Sequence, residues 1–188
     1  MNYELLRRKY LLLDTNLLIY YSQYTPFFQE KVFSKFSEKE ITPIVGELVK
    51  FEFLRGAANP EEVNVLKDYL KIVLRQNEKQ IMKAQFPITS DIFSSAIEIA
   101  NIYSWKLKNN KISLADCMIA AEMKKYNEHQ EQLYLATTDH DDFPRLFFKR
   151  VGIETIDTRE KIFNVGFYTF DSGSYKKLQK DFFLDQKR

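Results

Sequence analysis

Short apolar runs that stop at a carboxylate set the rhythm of this chain. Residues 10–13 are apolar and are closed by Asp14-Thr15-Asn16. This is the pattern of a buried parallel strand that delivers polar side chains at its C-terminal end. Asn16 is expected to cap a helix over residues 17–21. Ile41-Thr-Pro-Ile44 reads as a brief extended piece, Thr42 being kept out of the helical region by Pro43. A helix is predicted over 45–55, stopping at Gly56. Pro60-Glu61-Glu62 opens another, with proline at its start and acids in its first turn; Val63, Leu66, Leu70 and Val73 follow at helical spacing. Thr89 or Ser90 caps a third, whose apolar face is Ile92, Ala96, Ile99 and Tyr103. After the polar stretch 108–111, Ser113 is placed to cap a helix over 114–126. Residues 133–137 repeat the first pattern, an apolar run ending in Thr137-Thr138-Asp139. Residues 151–156 read as a third strand.

Strands alternating with helices predict an α/β sandwich around a mainly parallel sheet. Residues 1–158 are expected to form this domain. Residues 159–188, aromatic and basic, are expected to be a C-terminal extension packed on it. With 188 residues, 45% of them hydrophobic and 29% charged, the chain can bury a core without disulfide or metal staples.

Composition narrows the chemistry. One cysteine, Cys117, excludes a disulfide framework, and two histidines, His129 and His140, leave too few imidazoles for a His-built metal site. Carboxylates, hydroxyls, amines or backbone must carry any reaction. The net charge of +2 is mild, which argues against a protein that coats nucleic acid indiscriminately. Its distribution is uneven: residues 41–142 hold 12 basic against 15 acidic side chains, and residues 143–188 hold 10 against 6. Arg7-Arg8-Lys9 ahead of Leu11-Leu12-Leu13 imitates a signal peptide, but Asp14 interrupts the apolar run. No membrane segment and a cytoplasmic location are expected.

Four carboxylates stand at ends of core-building segments. Asp14 and Asp139 follow strands; Glu52 lies late in the 45–55 helix; Asp116 sits in the first turn of the 114–126 helix. In a parallel α/β sheet the strand C-termini share the edge where ligands bind, so Asp14 and Asp139 should meet there, with Glu52 and Asp116 alongside. Crowded carboxylates repel unless a cation lies between them, and all-oxygen sites select Mg²⁺ or Mn²⁺ over zinc. Such a site can hydrolyse a phosphodiester. Each residue also has a structural reading: Asp14 as a helix cap, Asp116 as a partner of Ser113 and the helix dipole, Asp139 in an exposed turn beside Asp141 and Asp142, Glu52 as a solvated helix side chain.

Taken together, Leu-Leu-Leu-Asp14-Thr-Asn-Leu-Leu-Ile19, Glu52-Phe-Leu-Arg-Gly-Ala57, Ser113-Leu-Ala-Asp116-Cys-Met-Ile-Ala-Ala121 and Ala136-Thr-Thr-Asp139-His-Asp-Asp-Phe-Pro144 resemble the four ordered motifs of PIN-domain nucleases, and within them the VapC-type toxins of bacterial toxin–antitoxin pairs. The resemblance covers about residues 10–156. It implies a three-layer PIN-like sandwich and a divalent-metal-dependent endoribonuclease, with Asp14, Glu52, Asp116 and Asp139 as catalytic Mg²⁺ or Mn²⁺ ligands. Thr15, Asn16 and Thr137 are implied as supporting residues, with Asp142 as a further candidate. An RNA substrate, a cognate antitoxin protein and a homodimer are the implied partners. Glu47, in Gly-Glu-Leu, also fits the second motif loosely. Five residues separate it from Glu52, so the two lie about 140° apart on a helix and cannot share a role; the Gly-Ala that follows favours Glu52.

Cys117 is expected to be a packing residue, and His129 and His140 to be solvated. The aromatic residues Tyr20, Tyr21, Phe27, Phe28, Phe33 and Phe36 are read as core or interface rather than a base-stacking surface. Arg145, Lys149 and Arg150, close behind the last acidic motif, are candidates for phosphate contact. Two alternatives stand beside the nuclease. A haloacid-dehalogenase-like phosphatase would use Asp14 as nucleophile but needs an acid where Asn16 stands. A non-catalytic RNA- or protein-binding PIN-like module would keep the acidic pocket without using it.

Overall fold

The computed structural model describes residues 9–35, 41–74, 87–108, 112–128, 132–140 and 146–186. In chain order these form β1 (Lys9–Leu13), α1 (Thr15–Gln23), α2 (Thr25–Phe28) continuing into a π-helical turn (Gln29–Phe33), β2 (Ile41–Ile44), α3 (Glu47–Arg55), α4 (Pro60–Leu74), α5 (Ser90–Leu107), α6 (Leu114–Glu128), β3 (Gln132–Thr137), β4 (Phe148–Asp157), β5 (Ile162–Phe170) and α7 (Ser172–Asp185). The five strands make one sheet in the order β2-β1-β3-β5-β4, flanked by the seven helices.

The first half of the sheet follows the expected pattern. β1 pairs in parallel with β2 on one side and β3 on the other, Leu13 lying opposite Ala136. Leu11, Leu12 and Leu13 are 1%, 0% and 0% exposed. Successive strand residues face opposite sides, so both faces of β1 are covered and the α/β sandwich has three layers.

The second half departs from it. β5 pairs antiparallel with β3 and with β4, so the sheet is mixed rather than mainly parallel. The run expected as a third parallel strand is β4, a longer antiparallel strand at the edge. The reason is local: residues 158–161 form a tight hairpin turn, with the Thr158 amide donating to the Lys161 carbonyl at 3.1 Å and Arg159 at φ 69°. So short a connection joins only antiparallel strands. Residues 159–188 therefore supply an interior strand of the sheet as well as α7. Phe163 and Val165 of β5 are buried, and so is Phe170. α7 docks on α5 through Trp105 Nε1 donating to Asp185 Oδ2 at 2.9 Å and through the Trp105–Phe182 ring contact.

Side-chain caps hold the starts of α4 and α7, whereas the N-cap residues of α3 and α5, Gly46 and Thr89, make no side-chain cap bond. Asn59 and Glu62 cap α4 reciprocally, the Glu62 amide donating to Asn59 Oδ1 at 2.9 Å and Asn59 Nδ2 to Glu62 Oε1 at 3.0 Å. α3 begins at Glu47, two residues later than its apolar pattern indicates. Among the described residues no helix is long and apolar enough to cross a membrane. Tyr21, Phe28 and Phe33 are buried, as a core reading requires, whereas Phe27 is exposed; Phe36 and His129 lie outside the described residues.

Candidate carboxylate cleft

β1 and β3 run parallel and in register, so they end together. The pairing extends one residue beyond β1, the Asp14 amide donating to the Ala136 carbonyl at 3.1 Å. Immediately after it the backbone turns into α1. Asp14, in extended conformation (φ −78°, ψ 156°), is the N-cap, its Oδ1 accepting from the Thr15 amide at 2.7 Å. This corrects the expectation for Asn16: the helix already starts at Thr15, so Asn16 lies within its first turn. Asn16 is exposed there and lines the cleft.

Hydroxyl groups hold the carboxylates. The Thr137 hydroxyl donates to Asp14 Oδ2 at 2.7 Å and accepts from the Asp139 amide at 2.9 Å, linking the ends of β1 and β3. The Thr15 hydroxyl donates to Glu52 Oε2 at 2.7 Å, across 37 positions of sequence. The Ser113 hydroxyl donates to Asp116 Oδ2 and accepts from the Asp116 amide. The capping reading of Asp116 is thus present in the geometry, together with its place in the cleft.

Asp14, Glu52, Asp116 and Asp139 line a single cleft of about 370 Å³, with Thr15, Asn16, Ile19, Arg55, Gly56, Ser113 and Ala115. Asp14 and Asp116 are buried, at 6% and 7% exposed. Burial raises the Asp14 pKa to about 6; hydrogen bonds from Thr137 and the Thr15 amide oppose this, and the negative charges of Asp139 and Glu52 add to it. Among the described residues no three His, Cys, Asp or Glu side chains converge into a metal-binding group. The four carboxylates line one space from four separate segments, and Asp14, Glu52 and Asp116 each accept from a hydroxyl. The acidic groups lining the cleft are all carboxylates, with no thiol or imidazole among them, a donor set that fits a hard divalent cation.

Glu47 is elsewhere. Its Oε2 accepts from the Ile88 amide at 2.9 Å, and its charge acts on Glu122 of α6, a residue 2% exposed whose pKa is raised to about 8, first by burial and then by Glu47. Gly46 leaves room for this carboxyl, since a Cβ at that position would lie 2.7 Å from Glu122 Oε2 and push the side chain aside. Nothing in the spacing of α6 singles out Glu122.

Lys149 and Arg150 are exposed on edge strand β4 and are not among the residues lining the cleft. Asp142 and Arg145 lie outside the described residues. Cys117 is buried, and burial together with the Asp116 charge pushes its thiol up to about 11, consistent with packing. His140 is not the solvated turn residue expected. Its Nε2 donates to the Asn164 carbonyl at 2.9 Å, and its Nδ1 lies 2.7 Å from the Tyr168 hydroxyl. Gly166 leaves room for this, as a Cβ there would come within 2.8 Å of His140 Cε1. The residue after Asp139 is in this way fastened to β5. Sequence reasoning also passed over Arg55 as a cleft residue, although its position three after Glu52 puts both on one face of α3.

Compared with known families, residues 11–149 match the family model described as PIN domain. The match ends just inside β4, before β5 and α7. No curated protein and no solved structure matches the chain.

Proposed function

The chain belongs to the PIN-domain family, and from that premise we propose that it is a divalent-metal-dependent endoribonuclease. PIN domains are generally nucleases. The observation that carries the reading is the convergence of Asp14, Glu52, Asp116 and Asp139 on one cleft. A solvated role for Glu52, a turn role for Asp139 and capping roles for Asp14 and Asp116 would not require a shared cleft.

In this mechanism the four carboxylates would hold Mg²⁺ or Mn²⁺. Such an ion, when bound, lowers the pKa of water and stabilises negative charge at a phosphoryl group. The residues around them orient rather than react. Thr15 fixes the Glu52 carboxylate, Thr137 fixes Asp14 and the start of the loop bearing Asp139, and Ser113 fixes Asp116. Burial raises the Asp14 pKa to about 6 in the metal-free site, so a divalent ion competes with a proton for this carboxylate and cleavage should weaken as the pH is lowered.

The test is incubation of purified protein with RNA in Mg²⁺ or Mn²⁺, with EDTA as control. Metal-dependent cleavage is expected. Absence of cleavage with either ion, or cleavage that survives EDTA, would overturn the reading.

Within this reading, the motif resemblance supports a cytoplasmic toxin of a toxin–antitoxin pair, acting as a homodimer. Growth arrest on expression, relieved by a co-expressed neighbouring small gene whose product co-purifies, is the expected result. Sedimentation showing only monomer at micromolar concentration would remove the dimer.

A further inference from the structure

Around Glu52, α3 presents two side chains that its packing does not use. Phe51 is 58% exposed, and Arg55, one turn later, is exposed at the rim of the carboxylate cleft. The Arg55 guanidinium carbon lies 6.0 Å from the centre of the Phe51 ring. Arg55 forms no ion pair with a described carboxylate. An arginine present only to balance the charge of this cleft would reach for Asp14, Glu52, Asp116 or Asp139, and this one instead lies alongside an aromatic ring.

The two groups suit different parts of one nucleotide. A solvent-facing ring offers a stacking platform for any base. The guanidinium fork matches phosphate oxygens and retains its charge at every relevant pH. A polyanionic strand entering a cleft lined by four carboxylates is repelled by them, and a cation at the rim offsets that repulsion where the strand enters. Ile19, part-exposed on α1, lines the same cleft and adds apolar surface.

Building on the nuclease reading, we propose that Phe51 and Arg55 clamp the nucleotide next to the scissile phosphate, the base stacked on Phe51 and its phosphate held by Arg55. They are positioning residues, acting on how the strand lies across the carboxylates.

The test is equilibrium binding of a short single-stranded oligoribonucleotide containing 2-aminopurine, followed by anisotropy and by 2-aminopurine fluorescence in Ca²⁺ buffer. Wild type should quench the fluorophore on binding. Phe51→Ala should bind on the order of tenfold or more weakly and lose the quench. Arg55→Ala should also bind more weakly, with the slope of log K against log salt reduced by about 0.7, and Arg55→Lys should restore the slope. Phe183→Ala, which removes an exposed ring from α7, serves as control and should match wild type. Unchanged affinity and quench in Phe51→Ala and Arg55→Ala would overturn the clamp, and so would a wild type that does not bind the oligonucleotide or binds it without quenching. The outcomes separate from those of the cleavage assay. Cleavage with an unchanged KM in Phe51→Ala would remove the clamp and leave the nuclease standing, whereas binding with quench by a protein that cleaves no RNA would do the reverse.

Discussion

The Thr137 hydroxyl donates to Asp14 Oδ2 at 2.7 Å, joining residues 123 positions apart at the ends of two adjacent parallel strands. Both partners are buried, so the bond does two things. It satisfies a carboxylate that has little water, and it fixes the orientation of an acid that burial discourages from ionising.

Thr137→Val should therefore destabilise the protein by about 1–3 kcal/mol, the cost of leaving a buried acceptor without its donor. In a chain of this size that lowers Tm by several degrees. Thermal denaturation of the two proteins in metal-free buffer checks it; an unchanged Tm would mean that the bond contributes nothing.

Asp116→Asn should abolish metal-dependent cleavage while the protein stays folded. The amide keeps the shape and can still accept from Ser113, so the helix start should lose no more than about 1 kcal/mol. What goes is the negative charge a divalent ion requires. Cleavage assays with Mg²⁺ or Mn²⁺ beside circular dichroism read both effects, and undiminished cleavage would reduce Asp116 to a capping residue.

The two acids of α3 should separate cleanly. Glu52→Gln is expected to lose activity by orders of magnitude, because its carboxylate lines the cleft. Glu47→Gln should retain activity, since Glu47 accepts from the Ile88 amide outside the cleft and a glutamine carbonyl can accept there too. Measured side by side, the reverse ranking would transfer the catalytic role to Glu47.

Glu122 makes stability depend on pH. Its pKa is near the ordinary 4.5 when unfolded and about 8 when folded, so the folded state favours the protonated form. No penalty applies below about pH 4.5. The penalty grows as pH rises from there to about 8, then levels off. Glu122→Gln cannot ionise and should escape it. Its Tm relative to wild type should rise by several degrees between pH 5 and pH 9, since each tenfold change in the folded state's preference for the proton is equivalent to about 1.4 kcal/mol. A constant difference across that range would show that Glu122 is not held protonated.

How far the chain could be read from its residues alone is clearest at its strand ends. The runs before Asp14 and Asp139 are local signals: a few consecutive apolar residues must be buried on both faces, and the polar residue that follows must emerge at the sheet edge. Caps and helical periodicity are local too, so the α/β alternation was legible in sequence, as was the placing of four candidate acids at the ends of core-building segments, where they line one cleft. Three things were not. The place of β5 between β3 and β4 depends on strand pairing across the whole sheet, and an aromatic run such as residues 162–170 does not state its neighbours. His140 looks solvated among polar residues, and only the fold brings Asn164 and Tyr168 to it. Glu122 looks like any helix glutamate until α3 arrives with Gly46 and Glu47 against it. Local propensity and period are written residue by residue, whereas burial, partner choice and pKa belong to whatever the chain packs against, and that is decided only when distant segments meet.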